Sequence, residues 1–148
     1  MKKLLTVKHK TLLRISHDAS YIASWDFVKL SQAVKRGVKY ALFKQLSDPL
    51  PFGPVDWSGI LHLSERTMQR YKTEKKTFDP IYSDKILQIA ILYKLGVDVF
   101  GDKSNFDTWL QSKSVALGGV KPKELLDNTF GISLVRDELG RIENGILA

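Results

Sequence analysis

The 148-residue sequence contains no cysteine. Disulfides, thiolate metal sites and cysteine nucleophiles are therefore excluded. Histidine is scarce: His9, His17 and His62 are scattered, and none has a partner at metal-ligand spacing. No P-loop and no nucleophile elbow is present. Neighbouring acids such as Asp137 and Glu138 would diverge on a helix rather than form a dyad. No window approaches the roughly 18 apolar residues that cross a bilayer. The early lysines of MKKLLTVKHK do not lead into an export-type run, because Lys8, His9 and Lys10 interrupt it. No stretch shows sustained strand alternation. These absences argue against an enzyme, a metal site, a cofactor or a membrane span. They predict an all-α protein of the cytoplasm.

What is present is unevenly charged. The net charge is +7, yet residues 1–96 carry 17 Lys and Arg against 8 Asp and Glu, whereas residues 97–148 carry 6 against 8. Such asymmetry suggests that the first part meets a polyanion and the second meets something else. Solubility alone is the competing explanation of the same charge.

Residues 1–27 lack periodicity and carry five basic residues before Asp18, the pattern of a partly ordered extension. From Phe27, the apolar positions Leu30, Val34, Val38 and Leu42 recur at helical spacing, with Gly37 as a candidate break. The segment SDPLPFGP, residues 47–54, cannot continue a helix. Asp56 then precedes WSGILHL, a short apolar run that reads as one small helix. In the next stretch Ser64 is a good N-cap, and Glu65 follows in the first turn. Met68 and Tyr71 mark a buried side, with Arg66, Thr67, Gln69, Arg70 and Lys72 largely opposite. A long helix over 79–101 starts at Pro80 and is apolar nearly all round, so it needs cover from several layers or from a second chain. Helical stretches follow at about 103–112, 122–128 and 133–144. Gly118 and Gly119 read as a tight turn, since no strand precedes them to form a phosphate-cradling loop.

A short helix, the turn His62–Leu63–Ser64 and a capped helix with a basic polar face form the pattern of a helix-turn-helix. The second helix of that motif enters the major groove. Arg66 and Arg70 could read guanine there, with Gln69 reading adenine. Thr67 on the same helix is a further DNA-binding candidate, and Lys72, Lys75 and Lys76 would meet phosphates. A solvated face on an ordinary packing helix gives the same pattern.

In the C-terminal third, an ordered set of residues stands out: Phe100-Gly101-Asp102, Trp109-Leu110 and Leu117-Gly118-Gly119, then Pro122, Leu125-Leu126 and Gly131. Val135, Leu139, Arg141-Ile142 and Gly145 complete it. The set resembles the C-terminal domain of the Xre/MbcA/ParS antitoxins. Gly37, Leu63-Ser64, Arg66-Thr67 and Arg70 are similar to the companion Xre-like helix-turn-helix region. The resemblance covers roughly residues 28–148, and the prolines at 49–54 depart from the family pattern. It implies an Xre-like helix-turn-helix lobe at 28–100 and a small helical toxin-binding lobe at 101–148. It also implies a type II toxin–antitoxin role: neutralising a RES-domain, NAD-degrading toxin by occluding its active site, and repressing its own operon. Carried onto this chain, Arg141, Asn144, Gly145, Ile146, Leu147 and Ala148 become the toxin-binding candidates. Trp109 and Leu110 read as anchors of the lobe's own core. A homodimer is expected from the cover that the long helix demands. The alternative function is a stand-alone transcriptional regulator with no toxin partner.

Overall fold

The computed structural model describes residues 26–145. Among the described residues there is no strand, only two isolated antiparallel bridges, Lys39 with Thr77 and Ser114 with Val120. The described residues form seven α-helices in order: α1 Phe27–Arg36, α2 Tyr40–Ser47, α3 Pro54–Leu61, α4 Glu65–Thr73, α5 Pro80–Phe100, α6 Lys103–Leu110 and α7 Thr129–Glu143. Single 3₁₀ turns at Val115–Leu117 and Pro122–Leu125 lie between α6 and α7. None of the described helices is long and apolar enough to cross a membrane.

The predicted all-α class holds, and most breaks fall where local chemistry demands them. Asp26 caps α1 by accepting the Lys29 amide at 3.1 Å. At Gly37 the chain takes φ +84°, and a Cβ there would stand 2.4 Å from the Phe78 carbonyl oxygen. No other residue fits so close an approach. The turn re-phases the apolar pattern, so α2 buries Phe43 and Leu46 while Leu42, one of the apolar positions at helical spacing, is only half-buried. Ser83 explains how the turn is held. Fully buried on α5, its hydroxyl accepts the Val38 amide at 2.7 Å and donates to the Phe78 carbonyl at 3.0 Å.

Helix α5 is the central post. Its buried residues Ile86, Leu87, Ile89, Ile91, Leu92, Tyr93 and Val97 occupy most of its circumference, and α1, α2, α3, α6 and α7 all pack against it. Cover for this apolar helix therefore comes from its own chain. One side holds an aromatic cluster, with Phe43 5.0 Å from Trp57 and 5.1 Å from Phe78 between ring centroids. The other side receives α6. Gly96 makes room for Phe106, whose ring would lie 2.0 Å from a Cβ at that position.

Beyond α6 the structure differs from the predicted boundaries. Residues 122–125 form one 3₁₀ turn rather than a helix to 128, and α7 begins at Thr129, four residues before the expected start. Gly131, in the gap between the helices expected at 122–128 and 133–144, lies inside the first turn of α7. Its missing side chain lets the helix approach Leu125, whose carbonyl oxygen would be 1.8 Å from a Cβ there. Asn128 caps the helix by accepting the Gly131 amide at 2.9 Å.

Candidate nucleic-acid and partner interfaces

Helix α3 begins at Pro54, three residues before the expected run that opens at Trp57. Asp56 sits in its first turn and accepts the Gly53 amide at 3.0 Å. The helix ends at His62, which adopts the left-handed conformation with φ +54°. The turn is closed twice through Ser58: its carbonyl accepts the Leu63 amide at 3.2 Å, and its hydroxyl donates to the Leu63 carbonyl at 2.5 Å. Ser64 then caps α4 by accepting the Thr67 amide at 3.1 Å. These are the parts of a helix-turn-helix: a helix, a three-residue turn and a capped second helix.

Helix α4 buries no residue completely. Met68 and Tyr71 are half-buried and hold it to the core, with the Tyr71 ring 4.8 Å from Phe78. Arg66, Gln69 and Arg70 are exposed at adjacent i, i+3 and i+4 positions, and Gln69 also lines the groove that Lys72 borders. Thr67 is placed differently. It is half-buried, and its hydroxyl lies 2.9 Å from that of Ser64, within the cap. Lys72 is exposed on the flank facing α2 and α3, where it borders a groove with Phe52, Trp57 and Met68. Lys75 is exposed, with φ +51° just past the helix end. Lys76 is half-buried; its ammonium lies 3.2 Å from Glu74 and 5.9 Å from the Tyr71 ring centroid.

The C-terminal candidates lie on α7 and just after it. Gly131, Ile132, Val135, Glu138 and Leu139 face inward. Opposite them, Phe130 and Leu134 are exposed at 86% and 52%. Arg141 stands on the same outer side, its guanidinium 3.4 Å from the largely buried Glu138. Asn144 closes the helix, and Gly145 follows with φ +69°; both are exposed. Ile146, Leu147 and Ala148 lie outside the described residues. Leu110 is buried in the core. Trp109 is half-buried and packs on Phe100 and Phe106 at 5.5 and 5.8 Å, an anchoring place rather than an outward one. Gly118 and Gly119 both take φ +82°, which makes the pair a turn. Among the described residues, no group of three or more His, Asp or Glu is arranged to hold a metal ion.

This two-part arrangement matches known domains in the same order. Residues 29–90 match the Antitoxin Xre-like helix-turn-helix domain, and residues 95–145 match the Antitoxin Xre/MbcA/ParS C-terminal toxin-binding domain. The chain belongs to the Xre/MbcA/ParS antitoxin family. Curated relatives agree with the assignment. An antitoxin Xre of Yersinia enterocolitica is 31% identical over 87 residues, which is 58% of this chain and 59% of that protein. The chain thus spans about three-fifths of the length of that relative. An antitoxin Xre of Photorhabdus laumondii is 28% identical over 120 residues, covering 80% of this chain and 81% of that protein. A Prs ADP-ribosylating antitoxin of a Sphingobium species is 27% identical over 124 residues, covering 78% of each chain.

Sequence reasoning missed one polar junction between the family's two domains. Lys85, on α5, donates to the Ile60 carbonyl at 2.8 Å and to the Asp127 carbonyl at 2.7 Å. His62 Nε2 lies 2.8 Å from the same Asp127 oxygen. The partners are 25, 42 and 65 positions apart, so no local pattern announces them. The only hint was a histidine at a turn position that glycine usually takes.

Proposed function

We propose that this chain is the antitoxin of a type II toxin–antitoxin pair. It neutralises a RES-domain toxin that consumes NAD by covering the toxin's active site, and it represses its own operon through α4. The observation that carries the reading is the pairing, in one chain, of a solvent-facing Arg66–Gln69–Arg70 helix with a matched toxin-binding domain. Arg141, Asn144 and Gly145, with Ile146, Leu147 and Ala148 beyond them, are the proposed toxin contacts. Arg66, Gln69 and Arg70 are the proposed base readers, with Lys72, Lys75 and Lys76 toward phosphates and Thr67 serving the cap. The name of the Sphingobium relative supports NAD chemistry in the partner, because ADP-ribosylation takes its ADP-ribosyl group from NAD. The division of labour falls at Gly101, between residues 28–100 and 101–148. We place the pair in the cytoplasm, where NAD and the operator both reside. A homodimer would present two α4 helices to half-sites one helical turn apart, about 34 Å. The antitoxin acts by stoichiometric occlusion, without turnover.

The test is deletion of residues 140–148. Cells expressing a RES-domain toxin with the full chain should keep their NAD and grow. With the shortened chain, NAD should fall while operator binding persists. If the shortened chain protects as well as the full one, the toxin-binding assignment is wrong. A stand-alone regulator, the second reading, is favoured by the intact α4 face alone. It predicts that no neighbouring toxin gene depends on this chain.

A further inference from the structure

The stretch from the Pro122–Leu125 turn to the start of α7 grips the first helix of the helix-turn-helix at both ends. At the start of α3, Lys123 lies 3.5 Å from Asp56. At its end, the Asp127 carbonyl accepts from Lys85, which also holds the Ile60 carbonyl in the last turn of α3. Imidazole cannot share hydrogen with a carbonyl unless it donates, so His62 carries its proton on Nε2 toward Asp127. His62 itself occupies a left-handed position at φ +54°, where glycine would fit without steric cost. A side chain retained there, and bonded across the molecule, has a task beyond closing the turn.

The Lys123 and Lys85 contacts differ in weight. The Lys123–Asp56 pair is partly exposed, with side-chain exposures of 25% and 32%, and such pairs contribute little. Lys85 is half-buried and satisfies two carbonyls at once. One of these, Ile60, is among the last α3 carbonyls that lack an intrahelical partner. Burial holds the pKa of its amine below the usual lysine value, and the nearby Asp127 charge offsets part of that shift. The residue immediately after Asp127 is Asn128, the cap of α7. One carbonyl oxygen therefore joins the post α5, the turn preceding α4 and the start of the helix that carries the proposed toxin contacts.

We propose that Lys85 and His62 are positioning residues for DNA recognition, and that through the Asp127 carbonyl they set the pose of α4 against the C-terminal domain. This rests on the DNA-binding reading given above. Base readout needs side chains placed to within hydrogen-bond tolerance, whereas phosphate attraction tolerates a shifted pose. Loosening the junction should therefore cost discrimination before it costs overall binding.

The experiment compares the full chain with Lys85→Met, His62→Asn and His62→Gly, and with Arg66→Ala plus Arg70→Ala as a control. The probes are the duplex upstream of the chain's own gene and a scrambled duplex of equal length. His62→Gly suits the left-handed backbone, so it removes the cross-domain bond while leaving the turn content. In Lys85→Met and both His62 variants, operator affinity should fall about tenfold, equivalent to about 1.4 kcal/mol. Scrambled-duplex affinity and toxin neutralisation should stay at wild-type levels. Operator binding equal to wild type in Lys85→Met and His62→Gly would overturn the proposal. So would an equal loss on both duplexes accompanied by a lower melting temperature, the sign of general damage. The control separates the two levels. If the Arg66–Arg70 double variant also binds like wild type, or if the full chain shows no operator preference, the DNA reading itself fails and the proposal goes with it.

Discussion

Helices α4 and α7 carry the two proposed interfaces, and they are built in opposite ways. Helix α4 has no fully buried residue and is held by Met68, Tyr71 and its Ser64 cap. Helix α7 buries five residues, with Val135 and Leu139 completely enclosed. The basic first part of the chain thus holds its proposed interface as an outward ledge. The acidic last third builds its own as an extension of the core. The difference teaches where function and stability can be separated by mutation. On α4 the exposed side chains are nearly independent of folding, whereas on α7 the inner face serves both.

The largest break in that comparison should come from Leu139→Ala. Truncating a fully enclosed leucine costs about 2–5 kcal/mol. Thermal or denaturant unfolding should show a loss in that range, with neutralisation failing as the lobe loosens. Next comes Gly131→Ala, for which the added methyl would meet the Leu125 carbonyl oxygen at 1.8 Å. The helix must shift away from Leu125, at a cost of about 1–3 kcal/mol. A midpoint unchanged from wild type would show that the close approach of α7 to that turn is not needed. On the other side, Ser64→Ala removes only the α4 cap. About 1 kcal/mol of stability should be lost, with operator binding weakened beyond that because the helix start frays.

Much of this layout was legible in the sequence, for reasons of local chemistry. The 3.6-residue period, Pro80 at a first turn, the Ser64 cap and the paired Gly118-Gly119 turn all act within a few residues of themselves. The start of α7 was not legible, because Gly131 reads as a breaker unless the approach of Leu125 is known. The half-burial of Leu42 was not legible either, since the turn at Gly37 resets the helical phase. The cover of α5 was expected from several layers or from a second chain. Five helices of its own chain pack against it, an outcome that only tertiary packing determines. Among the α4 residues, exposure of Arg66, Gln69 and Arg70 followed from amphipathicity. The cap role of Thr67 depended on the turn of the Ser64 side chain toward it.

The smallest expected stability effect is also the sharpest test of the ledge. Arg66 and Arg70 touch no partner that holds the fold: α4 is anchored through Met68 and Tyr71 on its other side. Replacing both arginines with alanine should leave the unfolding midpoint within about 0.5 kcal/mol of wild type, as expected for exposed positions. Alanine's better helix propensity offsets part of any lost side-chain packing. If each arginine reads a guanine, operator binding should weaken by about 1–3 kcal/mol per residue, with scrambled-duplex binding reduced far less. Lys75→Ala should instead weaken both duplexes alike and reduce the salt dependence by about 0.9 in the log–log slope, the signature of one lost phosphate contact. Lys76→Ala should change the slope less, because its ammonium is already shared between Glu74 and the Tyr71 ring. A double arginine variant that unfolds early would mean that α4 is part of the core after all, and the contrast with α7 would disappear.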